Sequence, residues 1–223
     1  MDWKQDFEER ETPTLKDIEQ VSAGWIKKYI LTFEMPDGRS YRYESVSRKN
    51  LEDYRAELEA NAQECKPTGQ ADAVCIAPVT EDGRVVMIRE FRYPLNSYCI
   101  GLPAGLMEAG EDLLECAARE LWEETGYAAI RNEDGSIRAH VLNQAGFSSV
   151  GMSGESVHVL YMQVENEPSL GQNTEASEFI DVFTVPVDEI DDFLEQNTLP
   201  IGTRGQLILM TLRDKPIRLG ARS

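Results

Sequence analysis

The stretch that most constrains the fold of this chain is "GLMEAGEDLLECAARELWEETGY", which covers residues 105–127. Its second half repeats apolar side chains at the spacing of one helix face. This spacing predicts a helix from about Asp112 to Thr125, and Gly126 follows where a left-handed C-terminal cap is expected. The apolar positions of the predicted helix are Leu113, Leu114, Ala117, Leu121 and Trp122.

Three glutamates crowd another face of the same helix. Glu120, Glu123 and Glu124 stand at helical spacing, which destabilises a helix by roughly 0.2–0.5 kcal/mol for each pair of like charges. No lysine lies among them to offset the repulsion. A hard divalent cation such as Mg²⁺ binds carboxylate oxygen, water and substrate phosphate, and its arrival removes the repulsion. The cluster therefore predicts a magnesium site rather than a solvated acidic face.

The residues around the helix strengthen this interpretation. "LPAG", residues 102–105, combines a proline with two small residues, so its backbone can approach an ion or a phosphate closely. Glu111 precedes the helix, where a carboxylate suits the positive end of the helix dipole. Arg119 lies about two helical turns beyond Glu111 and is placed to hold either Glu111 or Glu123.

The charge balance narrows the possible partners. The 223 residues include 22 basic and 40 acidic side chains, a net charge of −18, and such a chain repels nucleic acid and anionic membranes. No stretch approaches the roughly 18 consecutive apolar residues of a membrane span. The polar N-terminal residues do not resemble a signal peptide. We therefore expect a cytoplasmic protein that binds neither nucleic acid nor membrane.

The cysteines and histidines give no sign of a zinc site or a disulfide framework. Cys65, Cys75, Cys99 and Cys116 are scattered, and the chain has only two histidines. Cys75 lies in a strand-like run and Cys116 in the predicted helix. We expect both to be buried free thiols.

The rest of the chain mixes strands and helices without a regular βαβ alternation. Residues 1–20 lack clear periodicity and are expected to be mostly irregular. Trp25–Ser47 has the composition of a β-hairpin around the turn "PDG", and a helix follows it. We predict an α+β fold, with an N-terminal β-hairpin and helix subdomain over residues 1–68 and a second domain over residues 69–223.

Residues 105–127 as a whole resemble the Nudix box, G-x5-E-x7-R-E-U-x-E-E-x-G-U, in which U is a bulky aliphatic residue. Every fixed position matches in register, and the one departure is Tyr127 in the last aliphatic position. The matching residues are Gly105, Glu111, Arg119, Glu120, Leu121, Glu123, Glu124 and Gly126.

This resemblance implies a Nudix hydrolase, with a mixed β-sheet sandwiched between α-helices, that cleaves a nucleoside diphosphate linked to another moiety. The family usually holds Mg²⁺ or Mn²⁺ with box glutamates and with the carbonyl of the residue before the first box glycine. The ions neutralise the diphosphate and lower the pKa of a bound water. The metal-binding residues implied here are Ala104, Glu120, Glu123 and Glu124. The implied structural residues of the box are Gly105, Glu111, Arg119 and Gly126.

The flanking segments resemble the ADP-ribose pyrophosphatase branch, through "VVMIREFRYP" before the box and "LPAG" leading into it. The resemblance implies hydrolysis of ADP-ribose to AMP and ribose 5-phosphate by a homodimer. In that branch the N-terminal subdomain helps to form the dimer and part of the nucleotide site. Arg92 is then expected to contact the phosphates or ribose, and Arg48 or Glu44 to come from the N-terminal subdomain.

The general base of this branch often lies on a loop well beyond the box. The segment "LGQNTEASEFIDV" fits such a loop and offers Glu175 and Glu178. The glycine-flanked "GMSGES" offers Glu155. The sequence leaves the choice among the three open.

Three departures keep other activities open, one of which is that the helix predicted at residues 50–65 is longer than the branch leads us to expect. The branch often has glutamate where this chain has Gly101, and a proline where it has Asn143 or Val150. A pyrophosphatase for another nucleotide sugar, such as GDP-mannose, therefore remains an alternative, as does a non-catalytic module that senses ADP-ribose. An isomerase of isoprenoid diphosphates is a further alternative, with Cys99 as its cysteine.

Overall fold

The structure is a computed structural model, and it describes residues 11–64 and 70–214. The chain folds into two compact units. One holds the described residues up to Gln70 together with Phe147–Glu155, and the other holds Ala71–Gly146 and the described residues from Ser156 onwards. The predicted domain boundary at residue 68 lies outside the described residues.

The described residues form eleven strands and four helices. The strands are β1 (Thr14–Gln20), β2 (Lys27–Glu34), β3 (Ser40–Ser47), β4 (Ala73–Thr80), β5 (Arg84–Arg92), β6 (Ser97–Gly101), β7 (Ala104–Leu106), β8 (Ala139–Val141), β9 (Gly146–Phe147), β10 (Ser156–Val164) and β11 (Ile180–Pro186). The helices are α1 (Leu51–Glu64), α2 (Leu113–Thr125), α3 (Ile190–Gln196) and α4 (Thr203–Asp214). Across residues 11–64 and 70–214, no helix is long and apolar enough to cross a membrane.

The first unit is a three-stranded antiparallel sheet, in the order β1-β2-β3, with α1 packed against it. The predicted hairpin is confirmed as β2 and β3. The expectation of irregular structure before residue 20 is wrong for β1, which pairs with β2. Ile18 is the one fully buried side chain of this edge strand, so β1 shows little of the alternation that identifies a strand from sequence.

A later segment of the chain joins this first unit. The carbonyl of Met152 accepts a hydrogen bond of 2.9 Å from the backbone N–H of Val46, and the carbonyl of Gly151 accepts one of 2.7 Å from the Tyr43 hydroxyl. Val46 also forms a parallel bridge with Ser153. Residues 147–155 therefore belong to the first unit, although the sequence assigned them to the second domain.

The second unit is a mixed sheet between two layers of helices. Its main strand order is β11-β5-β4-β10-β8, with β6 added to β5 and β7 to β4, and β4 and β10 run parallel. One face is covered by α3 and α4 and the other by α2. The free cysteines Cys75 and Cys116 are buried in these two opposite cores, as expected. The predicted α+β fold class is confirmed.

Strands β4 and β5 separate soon after the turn that joins them. They share a single register pair, Val79 with Val85. Beyond it, β4 pairs with β7 and β5 pairs with β6. The segment that leads into α2 therefore reaches the sheet beside β4, where it meets the acidic face of the helix.

Candidate active site

Helix α2 has a hydrogen-bonded cap at each end. The Asp112 carboxylate accepts hydrogen bonds from the backbone N–H groups of Leu114 (2.9 Å) and Glu115 (3.1 Å), which satisfies donors that have no partner within the helix. At the other end Gly126 has φ 74° and donates to the Trp122 carbonyl at 2.8 Å. The helix and its C-terminal cap lie where the sequence predicts them.

The apolar face of α2 fixes the helix on the sheet. Cys116, Ala117 and Leu121 are completely buried against side chains of β4 and β10. Tyr127, the departure from the aliphatic pattern, is 4% exposed and packs in the same core. Its aromatic ring therefore fills the place of the expected aliphatic side chain, and the acidic face of α2 is held in a defined position.

Two of the helix carboxylates lie against the backbone of β7. The Glu124 carboxylate accepts a hydrogen bond of 3.1 Å from the backbone N–H of Ala104. The Glu120 carboxylate occupies the space that a Cβ at Gly105 would fill. Glycine at position 105 is thus required for the close approach, and the two carboxylates come to neighbouring points of the chain.

Arg119 connects three carboxylates. Its guanidinium donates through Nε and Nη2 to both oxygens of Glu111, at 2.9 and 3.1 Å. Its Nη1 donates to Glu120 at 2.8 Å and to Glu123 at 3.0 Å. The hydrogen bonds from Arg119 lower the pKa of Glu111 to about 2, and those to Glu111 raise the pKa of Arg119. Arg119 therefore holds the loop before the helix and two glutamates of its acidic face.

Glu124 is the most deeply buried acid of the site, 7% exposed. Burial raises its pKa to about 9, the hydrogen bond from Ala104 opposes the rise, and the charges of Glu90, Glu120 and Glu178 add to it. Burial also raises the pKa of Glu120, against the effect of Arg119. Without a cation, the cluster disfavours full ionisation of its own carboxyl groups.

Of the three glutamates predicted as general base, Glu178 is the one whose charge reaches the helix carboxylates. Its charge raises the pKa of Glu120 and of Glu124. One of its carboxylate oxygens accepts a hydrogen bond of 2.8 Å from the backbone N–H of Glu175. Glu178 is half-buried, whereas Glu175 is exposed. The turn thus directs one of its two glutamates toward the site.

The loop that carries Glu178 is attached to the end of α2 and to β5. The backbone N–H of Asn173 donates to the Glu123 carbonyl at 2.8 Å, and the Gln172 side-chain amide donates to the Glu124 carbonyl at 2.6 Å. At the far end of the loop, the Phe179 carbonyl accepts a hydrogen bond of 3.1 Å from the backbone N–H of Phe91. The loop therefore bridges the helix and the strand.

A further carboxylate of this cluster, Glu90 on β5, was not among the residues predicted from sequence. Its side chain is 14% exposed and its Oε2 lies 2.5 Å from Nη2 of Arg92, whose side chain is 52% exposed. The sequence signal that could have identified Glu90 is that an acidic residue interrupts the apolar pattern of β5. The predicted substrate residue Arg92 is therefore paired with an acid beside the site.

The other predicted residues lie in the first unit and pair there. Arg48 and Glu155 form an ion pair of 2.6 Å, with both side chains about three-quarters buried. The exposed carboxylate of Glu44 lies 2.9 Å from Nζ of Lys28. The roles predicted for Arg48, Glu155 and Glu44 in the active site are not tested by these ion pairs and stay predictions.

The donor chemistry of the site fits a hard divalent cation. Within residues 11–64 and 70–214, no three His, Cys, Asp or Glu side chains stand close enough together to hold a metal as they are. Glu120 and Glu123 are bonded to Arg119, and Glu124 to Ala104. A buried carboxyl with a raised pKa is stabilised in its charged form by a nearby cation, and carboxylate oxygen is the ligand that Mg²⁺ and Mn²⁺ prefer.

Comparison with known proteins gives consistent results. Residues 69–203 match the family model described as the NUDIX domain. The chain is 29% identical over 179 residues to an ADP-ribose pyrophosphatase of Saccharomyces cerevisiae, covering 78% of this chain and 69% of that protein. It is 28% identical over 172 residues to an ADP-ribose pyrophosphatase of Bacillus subtilis, covering 77% of each.

A solved structure shares the fold. The crystal structure of an ADP compounds hydrolase superimposes with a TM-score of 0.68 and 22% sequence identity. The match covers 93% of this chain and 96% of that one. The agreement in fold extends well beyond the segment that contains the acidic helix.

Proposed function

The chain belongs to the Nudix family, because the NUDIX domain model matches residues 69–203, and we propose that it hydrolyses ADP-ribose to AMP and ribose 5-phosphate with the help of a divalent metal. The family and the fold predicted from the sequence are confirmed. The substrate rests on the names of the relatives from S. cerevisiae and B. subtilis, both ADP-ribose pyrophosphatases.

The observation that carries the proposal is the placement of the box carboxylates. Glu120 and Glu124 meet the backbone of Ala104 and Gly105, and burial raises the pKa of both acids. If Glu120 and Glu124 only stabilised the fold, there would be no reason to bury two carboxyl groups side by side, because their charged forms are disfavoured there. A site for a cation and a diphosphate explains the arrangement.

Mg²⁺ or Mn²⁺ is the cofactor we propose, held by Glu120, Glu124 and the carbonyl of Ala104. Glu123 completes the predicted set, and its hydrogen bond to Arg119 also supports a bracing role. When bound, the metal supplies neutralisation of the diphosphate and a water of lowered pKa. The chain itself holds the carboxylates in place through Arg119, Gly105 and the packed helix.

Glu178 is our choice for the general base. Its charge acts on Glu120 and Glu124, and its loop is bonded to the end of α2. A base must reach the proton that it removes, and the exposed Glu175 lacks these links to the box carboxylates. Glu155 is engaged by Arg48 in the first unit.

Arg92 is proposed to bind the phosphates of the substrate. Arginine is suited to this because its planar guanidinium presents several donors to oxyanions. Arg48 and Glu44 are proposed to contribute from the first unit. We further propose a homodimer, as the family resemblance implies. The cytoplasmic location and the division into domains at residues 1–68 and 69–223 are proposals that rest on the sequence pattern.

A hydrolysis panel tests the proposal. Wild-type protein and Glu124→Gln are incubated with Mg²⁺ or Mn²⁺ and ADP-ribose, GDP-mannose or UDP-glucose, and products are identified by mass. We expect AMP and ribose 5-phosphate from wild type alone. Cleavage of GDP-mannose alone would show that the enzyme acts on another nucleotide sugar and not on ADP-ribose. Tight binding of ADP-ribose without cleavage would show that the protein is a sensor and not an enzyme.

A further inference from the structure

Glu90 stands on the face of β5 that looks toward α2. Val86 packs in the core beneath α2, while Val85 and Met87 pack in the opposite core. Side chains alternate along a strand, so Glu90 and Arg92 share the face of Val86. The Glu90 side chain is 14% exposed and lies at the end of this apolar row. Burying a carboxylate there costs free energy, which suggests that its charge has a function.

The neighbours of Glu90 place it beside the loop of the proposed base. Its register partners are Cys99 on β6 and Ile180 on β11. The residue next along β5, Phe91, donates its backbone N–H to the carbonyl of Phe179. Glu178 directly precedes Phe179, so two acids from different segments lie on either side of this hydrogen bond.

Arg92 is the cation that pairs with Glu90. The contact of 2.5 Å joins a largely buried carboxylate to a half-exposed guanidinium. A diphosphate that binds Arg92 must therefore replace Glu90 or share the guanidinium with it. It must also approach the acidic groups Glu90, Glu120 and Glu178, whose charges act on the buried Glu124.

We propose that Glu90 is a positioning residue that acts through Arg92: it holds this arginine back from anions until divalent metal is present. The inference rests on the proposed function, in which Arg92 binds the diphosphate. Without metal, Glu90 both occupies Arg92 and repels phosphate. A cation among the carboxylates would offset that repulsion, and the diphosphate would then replace Glu90 as the partner of Arg92. Binding of substrate thereby becomes dependent on metal.

Titration calorimetry in metal-free buffer tests this. Wild type, Glu90→Gln, Arg92→Ala and the double variant are titrated with ADP-ribose. We expect Glu90→Gln to bind more tightly than wild type by about tenfold, the scale of one charge-assisted hydrogen bond that the released Arg92 guanidinium makes to the diphosphate. In the Arg92→Ala background the same substitution should give a much smaller gain. Titration with Mn²⁺ alone should show weaker binding by Glu90→Gln, because one negative charge is lost.

Asp181→Asn is the matched control. Asp181 on β11 pairs with Arg89 on β5, on the opposite face of the sheet from Glu90, and both side chains are exposed. This substitution removes the same charge and should leave the binding of ADP-ribose and of Mn²⁺ unchanged. A purely general effect of net charge would instead appear in both variants.

Each contrary result has a distinct meaning. Equal or weaker metal-free binding by Glu90→Gln would overturn the inference, and an undiminished gain in the Arg92→Ala background would show that Glu90 does not act through Arg92. If wild type with Mn²⁺ neither binds nor cleaves ADP-ribose, the proposed function fails. Titrations with inorganic pyrophosphate then still decide the role of Glu90, since this probe carries the diphosphate alone.

Discussion

The carboxylate of Glu120 occupies the position of the missing Cβ of Gly105. The two residues come from β7 and from α2, and Arg119 holds the carboxylate by a hydrogen bond of 2.8 Å. The absence of a side chain at residue 105 therefore determines where the Glu120 carboxylate lies.

Gly105→Ala should displace the Glu120 carboxylate and lower kcat/KM by about 100-fold, equal to ~2.7 kcal/mol of lost transition-state stabilisation. Steady-state kinetics measure the loss. Gly146→Ala is the control, because a Cβ at Gly146 meets no atom within 4 Å. Equal effects of both substitutions would contradict the role assigned to Gly105.

Gly126→Ala should destabilise the fold more than Gly135→Ala does. Both glycines have positive φ, 74° and 85°, so alanine at either costs about 1–2 kcal/mol. Only at Gly126 would the new Cβ collide with the Leu170 carbonyl. The difference between the two variants in unfolding free energy, measured by urea denaturation, reports the effect of this collision. Equal losses in both variants would show that the segment around Leu170 moves aside without destabilising the fold.

Glu111→Gln should lose stability in a manner that depends on pH. Its pKa is lowered from 4.5 to about 2 by hydrogen bonds from Arg119. A lowered pKa gives stability that is present above pH 4.5 and lost as the pH falls toward 2. Denaturation curves of wild type and Glu111→Gln should therefore differ at pH 6 and converge near pH 2 to 3. A constant difference over this range would refute the ion-pair explanation.

Glu124→Gln should stabilise the metal-free protein. Burial raises the pKa of Glu124 from 4.5 to about 9, so its contribution to stability is full below pH 4.5 and falls as the pH rises to 9. The advantage of the variant, measured by denaturation in a chelator, should grow from pH 5 to pH 9. Added Mn²⁺ should stabilise wild type more than the variant.

Glu115→Gln provides the comparison on the same helix. Hydrogen bonds from Arg131 lower the pKa of the exposed Glu115, so its effect on stability should stay constant between pH 5 and pH 9. A growing difference for this variant as well would mean that net charge, and not the burial of Glu124, causes the trend.

Glu178→Gln should lower kcat strongly, by about 100-fold or more, with a small change in KM, because general base catalysis typically contributes about 10²–10⁴-fold. Glu175→Gln, three residues away on the same turn, should retain kcat within about twofold. The reverse pattern between the two variants would transfer the role to Glu175.

The box helix was predictable because its signals are local. The apolar spacing and the glycine at position 126 lie within one short stretch of the chain. The same holds for the hairpin of β2 and β3. Strand β1 was not predicted, because only one of its side chains is fully buried and the alternation typical of a strand is therefore missing. Its pairing with β2 depends on tertiary contacts.

The missed parts of the site depend on contacts between distant segments. Glu90 joins the box carboxylates through strand register and through the position of α2, neither of which can be read from β5 alone. Glu175 and Glu178 look alike in sequence, but in the structure the Glu178 carboxylate accepts a hydrogen bond from the backbone N–H of Glu175, which distinguishes the two side chains. The pairing of Arg48 with Glu155 requires residues 147–155 to join the first unit.

The attachment of the loop to the end of α2 has a consequence for motion. The carbonyls of Glu123 and Glu124, which would face water at an ordinary helix terminus, are bonded to Asn173 and Gln172. The last turn therefore cannot fray without releasing the loop that carries Glu178. In native-state hydrogen exchange these two segments should open as a single cooperative unit, so the carboxylates that we assign to the metal and the proposed base are lost or kept together.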